Sequence, residues 1–191
     1  MKKSMIASLV ALGLVSGLAQ AADKEVKFVG SVTAVTCDIE PSVDGSDSML
    51  PNTIQLGAVA KGAAGKEIDF RFKPSVTAGN QSSCDSMQDN GTVSLTWTGD
   101  TFSGQGLGII PALDANGNPL STAQATDAFV EITPKNTKTA SSFIQASNTT
   151  HEFAPATLKT GGDGLQYKAV LKGGQIAGAF QTAAKFNFSY K

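Results

Sequence analysis

The chain is 191 residues long, 41% hydrophobic and 16% charged, with a formal net charge of −1. Its one arginine is Arg71 and its lysines are scattered, so it lacks the basic stripe that a nucleic-acid backbone requires. A single histidine and two cysteines with no CxxC spacing leave little from which to build a zinc site.

The chain opens with Lys2 and Lys3, a short apolar stretch from Ile6 to Leu18, and Ala19-Gln20-Ala21, the small-x-small pattern of a signal-peptidase site. A membrane-spanning helix needs about 20 apolar residues, so residues 1–21 read as a cleaved signal peptide. Cleavage leaves 170 residues, enough for one domain with one core. It also removes two lysines, so 13 bases face 16 acids and the net charge is near −3.

From there helical periodicity is nearly absent, and a period of two recurs. Val26, Phe28, Val32 and Ala34 alternate with smaller or more polar residues. Cys37 and Cys84 both lie in the exported part, and an even count in an oxidising compartment predicts one disulfide. Ile54 and Leu56 form a short apolar pair before Gly57, and Ile68, Phe70 and Phe72 alternate with Asp69, Arg71 and Lys73 up to Pro74. The Ser-, Asn- and Asp-rich stretches 42–53 and 75–91 read as loops, with a short helical turn expected near Cys84 to Met87.

Val93, Leu95 and Trp97 form the next alternating run, and Asn116-Gly117 in the following segment is a hairpin signal. Phe129, Val130 and Ile132 precede Pro134, and Leu165, Tyr167, Ala169 and Leu171 alternate with Gln166, Lys168 and Val170. A last run, 178–190, is read as one strand that closes the chain. Short strands rich in β-branched and aromatic residues, separated by turn clusters, predict a single all-β domain over 22–191, a sandwich or barrel.

No catalytic constellation emerges. His151 is the one available base, and its place near a strand edge predicts a surface histidine. Gly104-Gln105-Gly106-Leu107-Gly108 lacks the spacing and the flanking helix of a phosphate cradle. Asp114, Asn116 and Asn118 resemble the start of a calcium loop, but Ala125 stands where the bidentate Glu belongs, so a hairpin turn is expected. Glu67 and Asp69 share a strand face that alternation points at solvent. Asn148-Thr149-Thr150 fits a glycosylation sequon by pattern alone. Trp97 on an alternating strand reads as a core residue.

The two ends carry the most information. Gly178, Phe180, Thr182, Ala184, Phe186, Phe188 and Tyr190 share one parity, so a strand over 178–190 aims a long apolar row one way. Val26, Phe28, Gly30 and Val32 share a parity near the other end. Two such strands can pair within one molecule or between molecules, and periodicity alone leaves both open.

The chain resembles the type 1-pilin-like family of chaperone–usher fimbrial subunits, especially the major subunits of thin fimbriae of enteric bacteria. The residues that carry the resemblance run from Lys27-Phe28-Val29-Gly30-Ser31-Val32-Thr33-Ala34-Val35-Thr36-Cys37 through Ile54-Gln55-Leu56-Gly57. A second cysteine follows the strand at Ile68-Asp69-Phe70-Arg71-Phe72, and Gly178 and Tyr190 stand near the C-terminus. The resemblance covers the whole mature chain. It implies an incomplete immunoglobulin-like β-sandwich, completed by a donor strand from a neighbouring subunit.

On that resemblance the acceptor groove and chaperone-binding strand comprise Gly178, Phe180, Phe186, Phe188 and Tyr190. The donor strand, in an N-terminal extension over 22–32, comprises Val26, Phe28, Gly30 and Val32, and the disulfide is Cys37–Cys84. Only 15 residues, 22–36, precede Cys37, so the donor segment and the first strand share a short stretch. The implied partners are a periplasmic fimbrial chaperone, an outer-membrane usher, other copies of the chain and minor fimbrial subunits. The implied destination, reached through the periplasm, is a fimbrium on the bacterial surface.

The function expected is a structural fibre subunit that polymerises by donor-strand exchange, used in adhesion to host cells, with no catalysis, cofactor or metal. The alternative is that the subunit is itself the adhesin and binds a host glycan receptor through loops, with Lys135, Lys138 or Trp97 as candidates. A secreted β-sandwich hydrolase would have to rest on His151.

Overall fold

The computed structural model describes residues 37–43, 52–110 and 126–191, all within the compact unit Thr33–Lys191. Two antiparallel sheets make up this part of the chain. The first has the order β1 (Ile39–Val43), β2 (Ala64–Pro74), β6 (Leu165–Lys172), β4 (Phe129–Pro134); the second has the order β5 (Thr150–Phe153), β3 (Val93–Thr98), β7 (Lys185–Tyr190). A six-residue helix, α1 (Asn80–Asp85), and a 3-10 turn at Pro155–Leu158 are the helical elements among the described residues.

Alternation explains how the sheets face one another. In β2 Phe70 and Phe72 are buried between half-exposed or exposed neighbours, and in β6 Leu165, Tyr167, Ala169 and Leu171 are all buried. Val130 and Ile132 of β4 join them from the first sheet, and Val93, Leu95 and Trp97 of β3 with Phe153 of β5 close the core from the second. Tyr167 lies at its centre. It stacks on Phe70 with ring centroids 5.5 Å apart and meets Trp97 edge-on, also at 5.5 Å. Aromatic pairs in these geometries add to the area they bury. The result is an immunoglobulin-like β-sandwich.

The opposite face of the first sheet points to solvent, as expected for Glu67 and Asp69. Cross-strand ion pairs lace it: Lys168 to Glu67 at 2.9 Å, Lys135 to Asp69 at 3.0 Å and Lys172 to Glu131 at 3.0 Å. At one pole a disulfide joins Cys37, just ahead of β1, to Cys84 in α1.

Several expectations are corrected. The helical turn expected near Cys84 to Met87 is α1, which overlaps it but starts four residues earlier and ends at Asp85; Gly79, with φ +81°, supplies the left-handed residue from which it starts. His151 is not at the surface: it is 2% exposed, because odd positions of β5 face the core alongside Phe153. The run 178–190 is not a single strand, since ladder pairing with β3 covers only Lys185–Tyr190. Its first half is tied laterally at two places, by the Ile110 N–H to Gln181 O (2.9 Å) and by the Thr182 hydroxyl to Gly108 O (2.6 Å). Ile54 and Leu56 lie in a non-strand segment and pack against the core edge. The calcium-like segment at Asp114, Asn116 and Asn118 lies outside the described residues.

Candidate functional site

The register of the last strand fixes the orientation of its apolar row. Trp97 pairs with Phe186, Leu95 with Phe188 and Val93 with Tyr190. Paired residues in an antiparallel ladder point to the same side, so this row faces the core with the buried face of β3. Lys185, Asn187 and Ser189 face away and are exposed. Coverage of the row is nonetheless incomplete: Phe188 and Tyr190 are half-buried, and Phe186 is 36% exposed. The topology gives the reason. Among the described residues β7 has β3 on one side and no strand on the other.

Along the chain that leads into β7, as far as Phe186, runs a groove of about 1200 Å³. Its floor is the core seen from the side: Phe70, Phe72, Trp97, Val130, Ile132 and Leu171. One wall is the chain over 176–184 with Phe186, which includes Gly178 and Phe180. The facing wall is Pro41, Ser42 and Val43 of β1 and the segment 52–61, with Ile54 and Leu56. Phe186 is held against the floor by Phe72, 4.6 Å between ring centroids.

The walls are fastened to each other at one end. The Gly62 N–H donates to both Gly173 O and Gly174 O at 3.0 Å, and the Gly173 N–H donates to Ala63 O at 2.8 Å. Asp127 then anchors the start of the second wall. Its carboxylate accepts the Ile176 N–H at 2.7 Å and the Gln175 N–H at 3.0 Å, and the Thr126 hydroxyl donates to Ile176 O at 2.7 Å. The Ile176 and Gln175 N–H groups hold the Asp127 carboxyl below its usual pKa. A Cβ at Gly174 would fall on the Asp127 carboxylate, so only glycine fits there.

Tyr190 secures the other end of β7. The Gln88 N–H donates to its hydroxyl at 2.6 Å, and the ring lies where a Cβ on Gly91 would be, 2.6 Å from the nearest ring carbon. The sequence-predicted acceptor residues therefore divide between two parts of the chain: Gly178 and Phe180 precede β7, and Phe186, Phe188 and Tyr190 belong to it. Gly178, Phe180 and Phe186 line the groove, whereas Phe188 and Tyr190 pack on the core beside it. The predicted donor residues Val26, Phe28, Gly30 and Val32 lie outside the described residues. In the sequence Val130 and Ile132 of the groove floor stand only as part of a short apolar run before Pro134. The facing wall over 52–61 was visible only as the apolar pair Ile54 and Leu56.

The other candidates are occupied by structural roles. His151 sits against Tyr167, whose hydroxyl is 3.4 Å from Nδ1, while Nε2 has no partner among the described residues. Burial lowers the His151 pKa to about 4. Trp97 is 6% exposed and belongs to the core, which removes it as a surface ligand platform. Lys135 pairs with Asp69, and Lys138 donates to Gly91 O and the Thr92 hydroxyl. The Asn148 amide donates to the Ser141 and Ser142 hydroxyls and to Phe143 O.

The described residues form a two-sheet, disulfide-bonded β domain with an apolar groove beside the chain that leads into its last strand. Relatives place it further. Over 191 aligned residues the chain is 35% identical to the F107 fimbrial protein of Escherichia coli, covering 100% of both chains. It is 28% identical to the K99 fimbrial protein of Escherichia coli, covering 100% of this chain and 99% of that one. The chain belongs to the fimbrial subunit family that includes the F107 protein, and it is a structural fimbrial subunit.

Among solved structures it is similar to the P pilus rod subunit PapA, at 24% identity and a TM-score of 0.44, covering 87% of this chain and 100% of that one. A subunit of a chaperone–usher pilus described for rod uncoiling matches at 19% identity and a TM-score of 0.37, covering 90% and 97%. No protein-family model matches the chain.

Proposed function

We propose that the groove receives a β-strand from another molecule, and that this exchange of strands is how the subunit enters a fibre. The observation that carries the reading is the apolar groove bordered by the chain over 176–184 and Phe186, which lies outside the ladder that pairs β7 with β3 among the described residues. A strand entering there would gain main-chain hydrogen bonds from the edge, and its alternate side chains would reach the floor at Phe72, Trp97 and Ile132. Left uncovered, an apolar strand edge is an aggregation hazard, which is the physical reason for a periplasmic chaperone to cover it before assembly.

The strand that replaces the chaperone's would come from residues 22–32 of the next copy. Val26, Phe28 and Val32 would enter the groove, with Gly30 as the small residue between them. Residues 1–21 act as the signal peptide in this reading, and 22–191 as the single pilin domain. An outer-membrane usher, further copies and minor fimbrial subunits are the other partners, and the fibre's use is adhesion to host cells. Head-to-tail strand donation does not close into a ring, so it yields a filament.

The test is the native surface protein run unheated in detergent. A ladder of bands that collapses to one band on boiling is expected; a monomer band under both conditions overturns the reading. Phe28→Asp should abolish the ladder while leaving the chaperone complex intact, and normal fibres from that variant would remove Phe28 from the donor set.

A further inference from the structure

We infer that Asn80 is a positioning residue for fibre assembly: it fixes where the chain enters the domain at Cys37 and Asp38, and thereby sets the angle between consecutive subunits. The inference rests on the strand-donation reading above.

Asn80 and Cys84 are the two buried residues of α1, one helical turn apart, and both grip the same dipeptide. Cys84 holds Cys37 through the disulfide. Asn80 Oδ1 accepts the Asp38 N–H at 2.7 Å, and Nδ2 donates to Asp38 O at 2.8 Å and to Ser75 O at 3.0 Å. The Ser75 N–H also donates to Asp38 O, at 2.9 Å.

Residues 38 and 75 form the rung just beyond the Ile39–Pro74 pair of the β1–β2 ladder. A regular hydrogen-bonded pair would exchange two direct N–H to O bonds. Here one is direct, and the Asn80 amide is inserted in the other: it takes the Asp38 N–H and gives its own N–H to Ser75 O. A carboxamide carries donor and acceptor on one rigid plane, so it stands in for a peptide unit at that rung. At 6% exposure water cannot replace it, and buried polar groups left unpaired are rare because they are costly. Disulfide, amide and Ser75 rung together leave Cys37-Asp38 one arrangement.

This matters because the connection to the proposed donor segment is short. Residues 33–36 alone separate 22–32 from Cys37. Four residues span at most about 14 Å when extended. With 22–32 seated in a neighbour's groove and Cys37-Asp38 clamped on their own domain, those four residues determine how one subunit sits on the next.

The experiment compares fibres of wild type, Asn80→Ala and Asn80→Gln in electron micrographs, alongside uptake of a synthetic peptide of residues 22–36 by each full-length subunit released from its chaperone. Asn80 lies outside the groove, so peptide uptake should stay within about twofold of wild type. The persistence length of Asn80→Ala fibres should fall at least twofold, with Asn80→Gln in between, since it keeps the amide but displaces it by one methylene. Fibres as stiff as wild type overturn the inference. So does a loss of peptide uptake that parallels the loss of stiffness, or failure of both variants to yield folded subunit, because each would give Asn80 a general folding role. A wild-type subunit that takes up no peptide would instead overturn the strand-donation reading itself.

Discussion

β6 and the chain over 178–190 are written in the same alternating pattern, and the structure treats them differently. Leu165, Tyr167, Ala169 and Leu171 of β6 are between 0% and 5% exposed, because β6 has β2 on one side and β4 on the other. Phe186 stands on an equally apolar face and is 36% exposed. Among the described residues β7 has one neighbouring strand, and over 178–184 even that ladder pairing is missing. Alternation decides which side of a strand turns toward the core. Whether anything covers that side depends on the neighbours that the topology supplies, and among the described residues the partly covered row meets the groove at Phe186.

The largest effect that separates the two regions should come from truncating each. Tyr167→Ala removes the centre of the aromatic cluster and should destabilise the subunit by about 3–5 kcal/mol in urea unfolding, the usual cost of deleting a buried aromatic. Phe186→Ala in the free subunit should cost less than half of that, since part of its ring is already in water. In fibres the order should change: the temperature at which the detergent-resistant ladder collapses should drop clearly for Phe186→Ala. Equal losses for Phe186→Ala in the free subunit and the fibre would mean that the groove is not covered on assembly.

A middle-sized effect concerns pH and the sealed side of the comparison. His151 has a pKa lowered to about 4 by burial, against about 6.5 in an unfolded chain. Between those values the unfolded state binds the extra proton more readily, so stability is full above about pH 6.5 and falls as the pH drops toward 4. The loss should be roughly 1–2 kcal/mol, less than the full shift because the site relaxes around the charged ring, read as a shift in urea midpoint between pH 7 and pH 4.5. His151→Phe should flatten that part of the profile; an unchanged slope would place the titration elsewhere.

The smallest effect belongs to the solvent face of the first sheet. Lys135→Met breaks the exposed pair with Asp69 and should change stability by less than about 0.5 kcal/mol, with fibre yield unaltered. A drop in host-cell binding by otherwise normal Lys135→Met fibres would point to a receptor site on this face.

Much of this was legible in the chain because it is local. Period-two runs around Phe70, Leu95 and Tyr167 place strands and their inward faces directly, since side-chain direction along a strand is set by the backbone. The parity of Phe186, Phe188 and Tyr190 gave the orientation of the last strand in the same way. His151 shows where local reading fails: one polar residue beside Glu152 looks like surface until Tyr167 and Phe153 close over it. Asn80 was one polar residue in a loop, with nothing in its neighbours to say that it spans to Asp38, 42 positions away.

By itself the sequence determined an all-β domain, the two cysteines to be paired and an apolar row at the C-terminal end, because periodicity and residue chemistry act over a few positions. Only the tertiary structure decided that this row lies half-covered along a groove, that 178–184 leaves the ladder, and that Asn80 completes the rung between Asp38 and Ser75. Those outcomes depend on which distant segments become neighbours, and pairing across tens of residues leaves no mark in any local pattern.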